Sequence, residues 1–126
     1  MWILLVGNDT TTAHGIKLSK NRAKGTSFET AVVNVLKEEG FTNAERYLND
    51  TSLGDIRHLP VVAECKNHKA MALSEWCKQA ETSGTKAGKL WAVIHHRARK
   101  GTRQAYVTMT LEQWIVLLKA YEKESL

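Results

Sequence analysis

A chain of 126 residues is long enough to close one hydrophobic core without disulfides or a structural metal, and too short for several domains. Its 43% hydrophobic and 25% charged content is that of a globular protein, and no apolar run reaches the length of a membrane span. The formal charge of +5 favours a polyanionic partner, nucleic acid before membrane, and the two cysteines, Cys65 and Cys77, fit neither CxxC nor a zinc spacing, as expected of reduced thiols in a cytosolic protein.

Trp2–Val6 predicts a short strand, too short for a signal peptide, and the polar, threonine-rich Gly7–Gly15 a flexible loop. Lys17, Lys20, Arg22 and Lys24 form a basic arm leading to Gly25-Thr26-Ser27, where Thr26 or Ser27 can cap a helix. That helix, Ser27 to Glu39, carries Phe28, Val32, Val35 and Leu36 at helical spacing, with Glu29 on the edge of the apolar face. In the first turn Glu29 is favoured by the helix dipole alone. Gly40 ends the helix as a left-handed C′ residue. Ala44–Leu48 predicts a first core strand. In the loop Asn49–Gly54 an Asx turn accounts for Asp50.

Gly54–Lys66 (GDIRHLPVVAECK) reads as two short strands joined by a turn at Arg57–Pro60. Alternate residues of a strand face one side, so Val62, Glu64 and Lys66 share a face while Val61, Ala63 and Cys65 point into an apolar layer. Charges at the end of so apolar a run are costly to hold unless something binds them. A divalent cation is the simplest partner. Asp55 on the preceding strand can supply a second carboxylate, and Lys66 can meet the negative charge of a phosphate.

After the polar exit Asn67-His68-Lys69, a second helix begins at Leu73 and runs to Thr82, with Ser74 as cap, Trp76 and Ala80 as its apolar stripe and Gln79 on its surface, from where it could reach the site. Ser83–Lys89, with two glycines, reads as a loop. The continuous apolar run Leu90–His95 marks a central strand covered on both faces. His95 and His96 are adjacent, point to opposite faces and cannot share an ion. Arg97, Arg99, Lys100 and Arg103 concentrate positive charge on a projecting tip before a strand over Gln104–Thr110. Leu111–Glu124 is an amphipathic helix whose Leu111, Trp114, Ile115, Leu118 and Tyr121 are expected to pack against the body. No linker divides the chain; 1–20 is a strand and basic arm, 21–126 the core.

The pattern Asp55-x8-Glu64-x-Lys66 resembles the core of the PD-(D/E)xK nucleases, with Gly54 where the family name has proline. Together with Arg22-x-Lys24-Gly25-x3-Glu29 and a helix ending at Gly40-Phe41, the chain is most similar, from Arg22 to Val107, to archaeal-type Holliday junction resolvases and their small phage-encoded relatives. The resemblance implies an α/β fold with a restriction-endonuclease-like core, a central mixed β-sheet flanked by helices. It implies a metal-dependent endodeoxyribonuclease in which Asp55, Glu64 and the Cys65 backbone carbonyl hold Mg²⁺, with Mn²⁺ able to substitute. Glu29 would hold a second ion or a water, and Lys66 would assist attack on the phosphodiester.

DNA contacts are expected from Lys17, Lys20, Arg22, Lys24, Ser52, Lys69, Arg97, Arg99, Lys100 and Arg103. The implied partners are branched four-way junctions and a second copy of the chain, since two symmetric nicks call for a homodimer. Trp2–Val6 and the last helix are the candidates for its interface. The implied location is the cytoplasm, the host's for a phage protein, and no small-molecule cofactor is expected. Asp50 stays open as an alternative to Asp55. Two readings compete: a PD-(D/E)xK endonuclease of another target, of repair or restriction type, and a non-catalytic DNA-binding protein on the same fold.

Overall fold

The computed structural model describes residues 13–48 and 52–125, with side chains described over 24–48 and 52–124. Trp2–Val6, residues 7–12 of the expected first loop, and Asp50 lie outside the described residues. In order the elements are α1 (Ala13–Glu38), β1 (Glu45–Arg46), β2 (Ile56–Arg57), β3 (Val61–Lys66), α2 (Leu73–Ala87), β4 (Leu90–His95), a 3₁₀ turn (Thr102–Gln104), β5 (Tyr106–Thr108) and α3 (Leu111–Ser125). The fold is α/β. Strands β3, β4 and β5 form a mixed sheet in that order, and β1 and β2 form a small antiparallel pair. β3 and β4 are parallel, Val61 opposite Leu90 through Lys66 opposite His95, joined by the crossover helix α2. The Asp55 N–H donates to the Ala63 carbonyl at 2.8 Å, which hangs the β1–β2 pair on the outer edge of β3.

Each face of the sheet is covered by one helix. Phe28, Val32 and Val33 of α1 pack on Ala63, Cys65, Ile56 and Ala44. Trp76 and Ala80 of α2 pack on Val62, Trp91 and Val93. Val93 is completely buried, a transfer worth roughly 1.5–3 kcal/mol for a side chain of this kind. β4 is thus the doubly covered central strand its apolar run predicts.

Several boundaries differ from expectation. Ala13–Gly15 and the basic segment after them are helical, so the end of the expected loop and the arm form the first half of α1, and Thr26 and Ser27 are interior residues rather than caps. Gly15, Gly25 and the lack of an apolar period hid this half, each glycine weakening a helix by about 1 kcal/mol relative to alanine. Glu29 is therefore mid-helix, and the dipole account of it fails. The other end of α1 is as expected: Gly40 has φ +104°, its N–H donates to the Lys37 carbonyl, and the Phe41 N–H donates to Leu36, a Schellman closure.

Helix α2 runs five residues past the expected Thr82, starts from Ala72 with no side-chain cap from Ser74, and ends at Gly88, whose φ is +67°. Gly84 lies inside it because a Cβ there would stand 3.0 Å from Trp91 and from the Lys89 carbonyl. The expected strands Ala44–Leu48 and Gln104–Thr110 shrink to two and three residues. α3 does not pack as expected. Leu111, Trp114, Ile115, Leu118 and Tyr121 are all exposed, and the helix is fastened instead by Gln113, whose buried amide accepts from the Trp91 N–H at 2.7 Å and donates to the Trp91 carbonyl at 3.1 Å. Among the described residues no helix is long and apolar enough to cross a membrane.

Candidate active site

The outer edge of β3 is where the charged groups meet. Strand alternation turns Glu64 and Lys66 toward α2, on the face of Val62, and Cys65 toward α1. Glu64 is 3% exposed, and the Ser83 hydroxyl of α2 donates to its Oε1 at 3.4 Å. Lys66 Nζ donates to Gln79 Oε1 at 2.7 Å, so Gln79, exposed as expected, also reaches the lysine of the site. Asp55 Oδ2 accepts the Cys65 N–H at 2.7 Å. A strand residue directs its N–H and C=O to the same edge, so the Cys65 carbonyl projects on the Asp55 side.

Gly54 explains why no proline precedes the aspartate. Its φ is +93°, outside the range proline allows, and a Cβ there would come within 2.8 Å of Val62 Cγ1 and 3.0 Å of the Ala63 carbonyl. The left-handed residue lets the chain turn onto β3 and delivers Asp55 to its edge.

All three acids hold their protons more tightly than free carboxyls, burial being the largest cause for each. Burial, then the charge of Glu64, pushes Asp55 from 3.8 up to about 7, against the Cys65 N–H and the charge of Lys66. Burial raises Glu64 as well, with Lys66, Asp55 and Ser83 opposing. Glu29, brought by α1 from the other face, is raised by burial and by Asp55, and is held by Arg46, whose Nε lies 2.9 Å from its Oε1. The Cys65 thiol is driven well upward by burial and by Asp55, Glu29 and Glu64, so it stays protonated and packs as an apolar group. Arg46, part of the cluster through Glu29, is absent from any sequence expectation; its only signal was a charge inside a predicted strand.

The buried Glu64 and half-buried Asp55 carboxyls with a backbone carbonyl on one edge are hard oxygen donors, the set Mg²⁺ takes while keeping several waters. The mutual repulsion of Asp55 and Glu64 is what a cation there would relieve. The residues fit the ion. Among the described residues no three His, Cys, Asp or Glu side chains close into a cage by themselves, and Glu29 is tied to Arg46.

The basic residues divide. Lys17, Lys20 and Arg22 lie on α1, their side chains outside those described. Lys24 is exposed, and its charge, behind burial and Lys66, helps to lower the pKa of His68. Lys69, Arg99 and Lys100 are exposed. Two other basic residues, Arg103 and Arg97, and the hydroxyl of Ser52 have partners within the protein. Arg103 pairs with Glu38 at 2.7 Å and Glu39 at 2.9 Å, pinning the tip to the end of α1. Arg97 stacks on Tyr106 with its guanidinium carbon 4.1 Å from the ring centre, and Ser52 accepts from Lys86. His95 packs against Trp76 and Tyr106 and His96 against Phe28, on opposite faces as the alternation requires.

A groove of about 900 Å³ between the end of α2 and the start of α3 contains none of the four charged groups, and an extended polyanion needs no such enclosure. Compared with family models, curated proteins and solved structures, the chain matches none.

Proposed function

We propose that this protein is a Mg²⁺-dependent, structure-selective DNA endonuclease of the PD-(D/E)xK kind, a Holliday junction resolvase that nicks four-way junctions symmetrically. One observation carries the reading: Glu29, Asp55, Glu64 and Lys66, scattered over a helix, a loop and a strand, act on one another's charge at a single strand edge. A mixed sheet flanked by helices is also what a restriction-endonuclease-like core calls for.

Asp55, Glu64 and the Cys65 carbonyl would hold Mg²⁺, which when bound supplies positive charge against the phosphate and an activated water. Phosphodiesters resist hydrolysis because their own charge repels nucleophiles, so the protein's task is charge compensation and positioning. Lys66, aimed by Gln79, places an ammonium against the charge that develops on the phosphoryl oxygens. Glu29 holds Arg46 within the cluster, a second cation against the same charge. Lys24, Lys69, Arg99 and Lys100 are free to fix the register of the DNA backbone away from the scissile bond. One chain carries one such centre, so paired nicks require two copies.

The test uses a labelled four-way junction and a linear duplex of the same sequences, each with Mg²⁺ and with EDTA. Paired nicks in the junction, dependent on Mg²⁺ and abolished by Lys66→Ala, support the proposal. Equal cutting of the duplex transfers it to another DNA target, and binding without cutting in Mg²⁺ rejects the enzyme.

A further inference from the structure

We infer that Tyr106, with Arg97 stacked on it, is a platform for one unpaired base of the bound nucleic-acid strand, an inference that rests on the nuclease reading for the placing of that strand. Residues opposite one another in a sheet point to one face, and β3, β4 and β5 set Lys66, His95 and Tyr106 in a single row. Gln79 and Trp76 of α2 touch the first two, so the row lies on the α2 face. It runs from closed to open: Trp76 and His95 are 7% and 5% exposed, whereas Tyr106 is 54% exposed. With strands about 4.8 Å apart, the backbones of Lys66 and Tyr106 stand roughly 10 Å from one another. A strand whose phosphate meets Lys66 therefore brings the base of a neighbouring nucleotide to Tyr106.

The ring is braced on two sides. His95, whose Nε2 lies 2.8 Å from the Thr108 hydroxyl, meets it edge-on, with centroids 5.9 Å apart and the planes at 69°. The Arg97 guanidinium carbon lies 4.1 Å from the ring centre, and Arg97 Nη1 donates to the Gln104 carbonyl at 3.4 Å. A side chain already held in place loses little freedom when a base stacks on it. Phenol rings and guanidinium planes both take the face of any base, and the guanidinium adds positive charge beside the phosphates. A duplex keeps its base faces against one another, whereas a single strand, or the point where a junction exchanges strands, leaves one open. The ligand class is thus an unpaired nucleotide, held by stacking and without preference for its sequence.

The test is the affinity of the full chain, in EDTA, for a short oligothymidylate and for an abasic strand of the same length. The wild type should bind the oligothymidylate about 5–100-fold more tightly. Tyr106→Phe should keep that preference and Tyr106→Ala should lose it, with the salt slope of binding unchanged in both because no charge is removed. Equal affinity of the wild type for the two strands would overturn the inference, a result that needs no variant to fold. A preference undiminished in Tyr106→Ala, or binding of neither strand, would overturn it equally. A chain that cuts junctions in Mg²⁺ yet shows no preference would overturn the platform alone. One that shows the preference and never cuts would support the platform and overturn the nuclease.

Discussion

Asp55→Asn should make the metal-free protein more stable at neutral pH while removing its activity. The folded chain holds the Asp55 proton more tightly than the unfolded chain does, with a pKa moved from 3.8 to about 7. Stability from this group is therefore full below the unfolded value and lost as pH rises through the folded one. A gap of about 3 pH units at ~1.4 kcal/mol each sets an upper bound of about 4 kcal/mol, of which about 2–3 falls between pH 5 and 8. Asparagine keeps an oxygen to accept the Cys65 N–H, and its amide can donate toward Glu64, whose hydrogen bond is among the causes that raise Asp55. The assay is urea denaturation in EDTA at both pH values. The advantage of Asp55→Asn should be small at the lower pH and grow by about 2–3 kcal/mol at the higher, about 10 °C in Tm for a chain of this size. Mg²⁺ should stabilise the wild type and leave Asp55→Asn unmoved. An advantage independent of pH, or a variant less stable than wild type at the higher pH, would refute the reasoning.

Gln79→Ala should lower kcat by roughly 10–100-fold with little change in KM, since it frees the Lys66 ammonium without removing it; a rise in KM alone would assign Gln79 to DNA binding. Gly54→Ala should cost about 2–3 kcal/mol, because it meets both a left-handed backbone and Val62, and an unaltered urea midpoint would show that the turn onto β3 is not strained. Arg99→Ala with Lys100→Ala should reduce the salt slope of DNA binding by about 2, whereas Arg103→Ala should leave it nearly unchanged because Glu38 and Glu39 already hold that side chain. Equal slopes for the two variants would remove the tip from the DNA interface.

Local pattern carried a good part of this structure. The alternation in Val61–Lys66, the apolar run Leu90–His95 and the glycine after α1 each encode their environment within a few residues, and β3, β4 and the Gly40 closure follow. What escaped depends on partners distant in sequence. Gly84 reads as a helix breaker until Trp91, seven residues on, is seen to need its missing side chain. Gln79 reads as surface and is exposed, yet only the fold shows Lys66 reaching it from the sheet, and Arg46 reads as a strand charge until α1 brings Glu29 to it. α3 was misjudged for a different reason. Its amphipathic period fixes which face is apolar and says nothing of whether that face meets the body, which α3 instead meets through one glutamine bonded to the Trp91 backbone. For the candidate site, Asp55, Glu64 and Lys66 were visible as a spacing, and Glu29 only through family resemblance.

The measurement that bears most directly on the acid pair as a cation site is a Mn²⁺ titration followed by electron paramagnetic resonance, on the wild type and on Glu64→Gln. The wild type should quench the free-ion signal with saturation, Mg²⁺ should reverse it in competition, and Glu64→Gln should leave the signal at its free intensity. No uptake by the wild type, or the same uptake by both proteins, would contradict the account.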